Sequence, residues 1–225
     1  MITLHHLEYS QSFRILWLLE ELGAEYELKL YNRDPETRLA PDEYKAISPL
    51  GTAPVITEGE FTLAESNAII DYILDSHHES DMRPGPGHPD RARNLFWFHA
   101  AQGSLMSVQF IEIALTSIEM NVPFFLKGLF RSVFNRVRSL LIKPRLKRLF
   151  DLMEKDLGQK PWFAGDALGT SDITLSYPML AAHNLGLFEG TYPNIVAWIE
   201  HIQARPAWKA AREKDGRDSV IFTFD

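Results

Sequence analysis

No cysteine occurs among the 225 residues. That absence excludes disulfides, thiolate metal sites and any reaction whose nucleophile is a thiol of the chain itself. Sulfur chemistry, if there is any, has to arrive with a ligand. Also missing is an apolar run approaching the roughly 20 residues that a membrane span requires. The opening MITLHHLEYS lacks the basic start and long apolar core of a secretory signal. Together these absences set the expectation of a cytoplasmic protein with no membrane partner. A basic excess is lacking too: the net charge is −7, which argues against nucleic-acid binding. The eight histidines are scattered without metal-ligand spacing, so no metal is expected. Internal repeats and low-complexity segments are absent.

What is present divides the chain in two. Hydrophobic content of 45% and charged content of 24% are ordinary for a globular protein. The charge, however, is uneven. Residues 1–80 carry 15 acidic and 5 basic side chains, whereas residues 81–225 carry 15 and 18. Between them SDMRPGPGHPD, residues 80–90, reads as a linker. Before it the pattern is β-α-β-α-β-β-α: strands over 2–7, 26–31, 54–57 and 60–63, helices over 12–22, 42–47 and 65–77. The second strand after a helix implies a parallel βαβ pair, and the two-residue connection at Glu58-Gly59 implies a hairpin. After the linker nearly everything is helical, with helices expected near 90–120, 124–142, 144–157, 171–185, 193–204 and 206–214. The aromatic and Met-rich stretch from 96 to 134 (Trp97, Phe98, Met106, Phe110, Met120, Phe124, Phe125) is expected to be mostly core. Residues 127–148 hold eight Lys or Arg and no acid. Val133, Val137, Leu140 and Leu141 give the opposite side of that run to the core, so a solvated helix face that also complements a partner's acidic half fits better than a nucleic-acid site.

Residues 50–70, LGTAPVITEGEFTLAESNAII, carry the most chemistry. A Pro at a strand start belongs at an edge or an irregular connection. A strand, a turn, a second strand and a polar helix start at Glu65-Ser66 can hold a peptide-like ligand by its backbone. The helix N-terminus attracts an anion through its free N–H groups; plain capping is the competing explanation for Ser66.

The segments YSQSFRILWLLEELG (9–23), PLGTAPV (49–55), LAESNAII (63–70) and PWFAGDALGTSDI (161–173), in this order and spacing, resemble the cytosolic glutathione transferases, and within them the Ser-type, theta-like or related bacterial and fungal members. The resemblance covers essentially the whole chain. It implies a thioredoxin-like glutathione-binding domain over 1–79, a linker over 80–90 and an all-helical domain over 91–225 that carries an apolar pocket, lined in part by the 96–134 stretch. It also implies a homodimer, with glutathione as co-substrate, no metal, and a small hydrophobic electrophile as second substrate. By the same resemblance the Ala53-Pro54 bond is cis, the Ala53 main chain pairs with the cysteinyl part of glutathione, and Glu65 and Ser66 hold its γ-glutamyl end. The family often carries Lys where this chain has Thr52, against the glycyl carboxylate; Arg38 or Lys45 is the substitute cation. Ser10, four residues before Arg14, matches the Ser that donates to the glutathione thiolate; Tyr9 and Ser12 compete for that role, and Arg14 is expected in a structural ion pair. A thiol of pKa about 8.5 is mostly protonated at neutral pH. Lowering it by about two units takes roughly 2.7 kcal/mol, which a charge-assisted hydrogen bond and a helix N-terminus can supply. A non-catalytic glutathione-binding or protein-interaction module, and a glutathione-dependent disulfide reductase or peroxidase, are the alternatives. Gly169, three residues before Asp172, stands where the family has a hydroxyl cap, so the reciprocal capping pair is expected to be lost or shifted.

Overall fold

A computed structural model describes residues 1–48, 50–77, 80–188 and 190–221. Pro49 of the PLGTAPV motif and residues 222–225 of the IFTFD ending lie outside the described residues. Strand β1 (Ile2–Leu7) pairs in parallel with β2 (Tyr26–Tyr31), Ile2 opposite Tyr26. Between them α1 (Ser12–Leu22) buries Phe13, Leu16 and Trp17, and it ends where Gly23 takes the left-handed conformation, φ 60°. After α2 (Asp42–Ile47), strands β3 (Val55–Glu58) and β4 (Phe61–Ala64) add to the other side of β1 as an antiparallel hairpin, giving the order β2-β1-β3-β4. Both strands start one residue later than expected, and the turn is Gly59-Glu60, because Gly59 at φ 58° supplies the left-handed corner. Pro54 therefore stands outside the ladder and removes no strand donor; its bond to Ala53 is cis. Helix α3 (Ser66–Ser76) closes this thioredoxin-like half.

The second half is helical. Helix α4 (Arg91–Ala100) runs through a π-helical segment (Ala101–Met106) into α5 (Ser107–Asn121). Helix α6 (Lys127–Val137) runs through another (Arg138–Ile142) into α7 (Lys143–Leu157), with Pro144, which has no N–H to donate to the preceding turn, just after the junction. Helices α8 (Thr170–Asn184), α9 (Pro193–Ala204) and α10 (Pro206–Asp215) follow. One core spans both halves. Trp208 of α10 packs edge-on against Phe13 and Trp17 of α1, ring centres 4.8 and 5.0 Å apart. Across the same junction Arg205 donates two hydrogen bonds to the Glu21 carboxylate, at 2.5 and 2.7 Å.

Two expectations fail in the α5–α6 hairpin. Trp97, Phe98 and Phe134 are core, but Phe96, Phe110, Met120, Phe124 and Phe125 are exposed, Phe124 by 86%. Val133, Leu140 and Leu141 are exposed as well. The hairpin projects beyond the body of the helical half and has little to pack on. The basic run is also partly neutralised within the chain: Arg138 pairs with Glu112 and Glu119, Arg131 with Glu119, and Lys147 with Asp151.

Candidate active site

A cleft of about 370 Å³ opens between the two halves, lined by Gln11, Thr52, Ala53, Pro54, Glu65, Ser66, Gln102, Met106, Ser107 and Phe110. Five of the residues singled out from sequence therefore share one wall. The loop before Pro54 is fixed by Ser48, whose hydroxyl donates to Thr52 O at 2.9 Å and accepts from Thr52 N at 3.1 Å. Among the described residues neither the N–H nor the C=O of Ala53 has a hydrogen-bond partner. An open main-chain pair beside a sheet is what an extended peptide needs to add as a strand.

At the far end of this wall Glu65 precedes α3 with φ 75°. That conformation is uncommon for a residue with a β-carbon and concentrates at functional sites. It turns an exposed carboxylate to the cleft beside the first turn of α3. Ser66 is 1% exposed, and its hydroxyl has no partner among the described residues, nor does Asn67 Oδ1. Buried polar atoms are rarely left so; here they lie at a helix N-terminus, where an anion is favoured.

The expected thiol residues are placed differently. Ser10 does not line the cleft. Its hydroxyl donates to Leu7 O at 2.7 Å, and Ser12 N donates to its oxygen at 3.2 Å, so in this conformation it staples the entry to α1. The Tyr9 hydroxyl donates to Asp218 at 3.0 Å, and this hydrogen bond with a carboxylate is the main reason its pKa is raised. Ser12 is wholly buried. Gln11, between them, is the residue of this turn that reaches the cleft, a position sequence reasoning missed. Arg38 is exposed and absent from the lining; its carbonyl accepts from Arg33 at 3.1 Å. Lys45 lies closer, its Cγ 4.0 Å from where a β-carbon on Gly51 would stand, with its ammonium paired to Asp42 at 3.0 Å.

Among the described residues Arg14 makes no ion pair, contrary to expectation. Its guanidinium is fully buried, donates to Thr174 O at 2.8 Å and to Gln11 Oε1, and lies over the Tyr177 ring; Nε has no partner. Burial pushes its pKa down to about 9. A buried guanidinium thus lies beneath Gln11 at this end of the cleft.

The opposite wall comes from the helical half. Gln102, Met106 and Phe110 succeed one another at four-residue spacing through the π-helical segment. Such segments widen the helix locally and recur at functional sites. Met106 and Phe110 belong to the stretch expected to line a pocket in part, whereas Gln102 was missed, and its four-residue spacing from Met106 was the available signal. A larger cleft of about 560 Å³ lies between α3, the linker and α4, but it gathers no motif residue, and its Arg83 is already paired with Asp71 and Asp75. Among the described residues no cluster of metal-ligating side chains occurs, and no helix is long and apolar enough to cross a membrane.

Fold and cleft define a two-domain protein, thioredoxin-like then helical, with one wall of the cleft on each domain. Residues 1–75 match the glutathione S-transferase N-terminal domain and residues 142–206 its C-terminal domain. Glutathione S-transferase 3 of Schizosaccharomyces pombe is 30% identical over 95% of this chain and 88% of its own length. Glutathione S-transferase 1 of Saccharomyces cerevisiae is 30% identical over 95% of each. A crystal structure of a glutathione S-transferase from Actinobacillus pleuropneumoniae superposes with a TM-score of 0.76 at 34% identity, covering 96% of this chain and 93% of that one. The chain belongs to the glutathione S-transferase family.

Proposed function

We propose that this cleft binds glutathione along the sheet wall and an apolar electrophile against the helical wall. This is how the chain works as a glutathione transferase, the enzyme activity its family membership gives it. The observation that carries the reading is the grouping of Ala53, Glu65 and Ser66, with their unpartnered main-chain and hydroxyl groups, along one wall. In this reading Ala53 pairs with the cysteinyl main chain. Glu65 accepts from the γ-glutamyl ammonium, and Ser66 with the first N–H groups of α3 donates to its carboxylate. Lys45 serves the glycyl carboxylate. The thiol then points to the start of α1, where the Ser10 hydroxyl, the helix N-terminus and buried Arg14 favour its ionised form. A thiolate accepts a hydrogen bond more strongly than the Leu7 carbonyl does, so the Ser10 proton turns to it on binding. The thiol proton leaves to solvent. The sulfur attacks the electrophile held near Met106 and Phe110, a carbon–sulfur bond forms, and in a substitution the leaving group departs with its electron pair.

Ultraviolet absorbance of the bound thiolate, followed against pH, tests this directly. The bound thiol is expected to titrate below free glutathione, and Glu65→Gln or Ser66→Ala is expected to weaken glutathione binding about 10- to 100-fold. A bound thiol that titrates like the free one overturns the mechanism; unchanged affinity in both variants overturns the binding mode. We also propose that two copies pair, each acidic first domain facing the partner's basic second domain, which covers exposed apolar surface of the α5–α6 hairpin.

A further inference from the structure

A buried line of hydrogen bonds connects the end of α10 to Ser10, more than 200 residues away in sequence. His6 Nε2 lies 2.9 Å from Asp215 Oδ1. His6 Nδ1 lies 2.8 Å from Ser12 Oγ, which lies 2.7 Å from Ser10 Oγ. All four side chains are buried. The order resembles a hydrolytic triad with the ring reversed, but Ser12 is 0% exposed, so no acyl substrate reaches it.

The Asp215 carboxylate can only accept, and this sets the direction of the line from its α10 end. The Asp215 carboxylate accepts from His6 Nε2 and from Arg212 at 2.8 Å. A neutral imidazole with its proton on Nε2 presents a lone pair at Nδ1. The Ser12 hydroxyl donates to that lone pair, and its oxygen accepts from Leu7 N at 3.2 Å. Ser10 is then the terminal donor of the line, with Leu7 O or Ser12 Oγ as its recipient in the unliganded fold. Ser12 Oγ also lies 3.2 Å from Leu7 O, the acceptor its proton takes if His6 Nδ1 does not receive it. The same end of the chain clamps the loop twice more, through Asp218 on Tyr9 and Arg217 on Glu8 at 3.5 Å.

We propose that Asp215 and His6 are positioning residues for the thiol reaction: acting through Ser12, they fix the hydrogen-bond direction that leaves the Ser10 hydroxyl as the donor available to the glutathione thiolate. This rests on the reading of the cleft above. It goes beyond that reading by giving the last helix a part in the chemistry of the first loop.

The test uses the full chain with Asp215→Asn, which keeps the shape but loses the obligate acceptor, and Ser12→Ala, which removes one oxygen and breaks the line. Three quantities are read: the pKa of bound glutathione, kcat/KM with a chromogenic electrophile, and the affinity for S-methylglutathione, which has no thiol to ionise. Both variants are expected to raise the bound thiol pKa by about half to one unit and to lower kcat/KM at neutral pH about three- to tenfold, the range of one hydrogen bond. S-methylglutathione affinity is expected to stay within about twofold, because its contacts do not involve the line. An unchanged thiol pKa in either folded variant overturns the proposal. So does a loss of S-methylglutathione binding that accounts for the whole loss of activity, since that is structural damage alone. If the wild-type thiol is not lowered in the first place, the reading of the cleft fails instead. Circular-dichroism melts report whether each variant is folded, and the smaller Ser12→Ala change carries the test if Asp215→Asn is not.

Discussion

Asp172 shows how two local forces oppose each other at one residue. Its carboxylate is wholly buried, and burial pushes its pKa up to about 6. Phe163 N, Ala164 N, Gly169 N and Trp198 Nε1 all donate to it, at 2.8, 3.2, 3.1 and 2.9 Å, and pull the other way. Folded Asp172 takes up its proton before the unfolded side chain does. Its contribution to stability is therefore greatest below about pH 4, declines as pH rises towards about 6, and is constant above. The urea unfolding free energy of wild type minus that of Asp172→Asn should fall across this window, by up to about 3 kcal/mol. A flat or rising difference would show that the four donors outweigh burial. The residue scale is also where sequence reading of the cleft succeeded and failed. Ala53, Glu65 and Ser66 were legible as members of one wall because a Pro at a strand start and a polar helix start are local patterns. Gln11 was not: the side chains of Ser10, Gln11 and Ser12 are one step apart, and which of them faces the cleft is set by the pitch of the turn.

At the scale of the element, the start of α8 shows a cap borrowed from elsewhere. Asp172 accepts from Gly169 N, which is half of a capping box, and Gly169 has no side chain to return the bond. Asn94 of α4 fills the gap, accepting from Ser171 N at 3.1 Å. The space explains the glycine: a β-carbon there would lie 2.3 Å from Ala164 Cβ and 2.9 Å from Met82 O. Gly169→Ser, which restores the usual cap on paper, should therefore lower the melting temperature, through overpacking worth about 1–3 kcal/mol. A variant as stable as wild type would show that the loop over Ala164 yields. The order and type of the elements were legible from hydrophobic period and from Pro and Gly punctuation. The π-helical segments were not, since one inserted residue per turn leaves almost no trace in a short pattern, yet one of them carries Gln102 and Met106 into the cleft.

At the scale of the whole molecule, charge and exposed apolar surface bear on association. The exposed Phe124, Phe125 and Leu129 make a patch that monomers seldom leave bare. An acidic first domain against a basic second one makes pairing salt-dependent. Sedimentation equilibrium should detect a dimer whose dissociation constant rises about tenfold between roughly 0.1 and 1 M salt, as the screening length drops from about 10 to 3 Å. A monomer at all concentrations removes the pairing proposal, and a salt-insensitive dimer assigns it to apolar contact alone. The core expectation for residues 96–134 held for Trp97 and Phe98 and failed for Phe96, Met120, Phe124 and Phe125. Whether an aromatic residue is buried depends on whether another element lies over it, and α5 and α6 project past the elements that would.

The sequence by itself determined the two-part organisation, the parallel βαβ pair and hairpin, the wall made by Ala53, Glu65 and Ser66, and the requirement that sulfur come with the ligand. Each follows from covalent facts or local periodicity that no packing can undo. The tertiary structure alone decided that Ser10 turns inward, that Gln11 faces the cleft, and that Arg14 is buried against Thr174 and Tyr177. It also brought Asp215 to His6. These depend on how α8 and α10 pack across α1, contacts distant in sequence that only the closed core specifies.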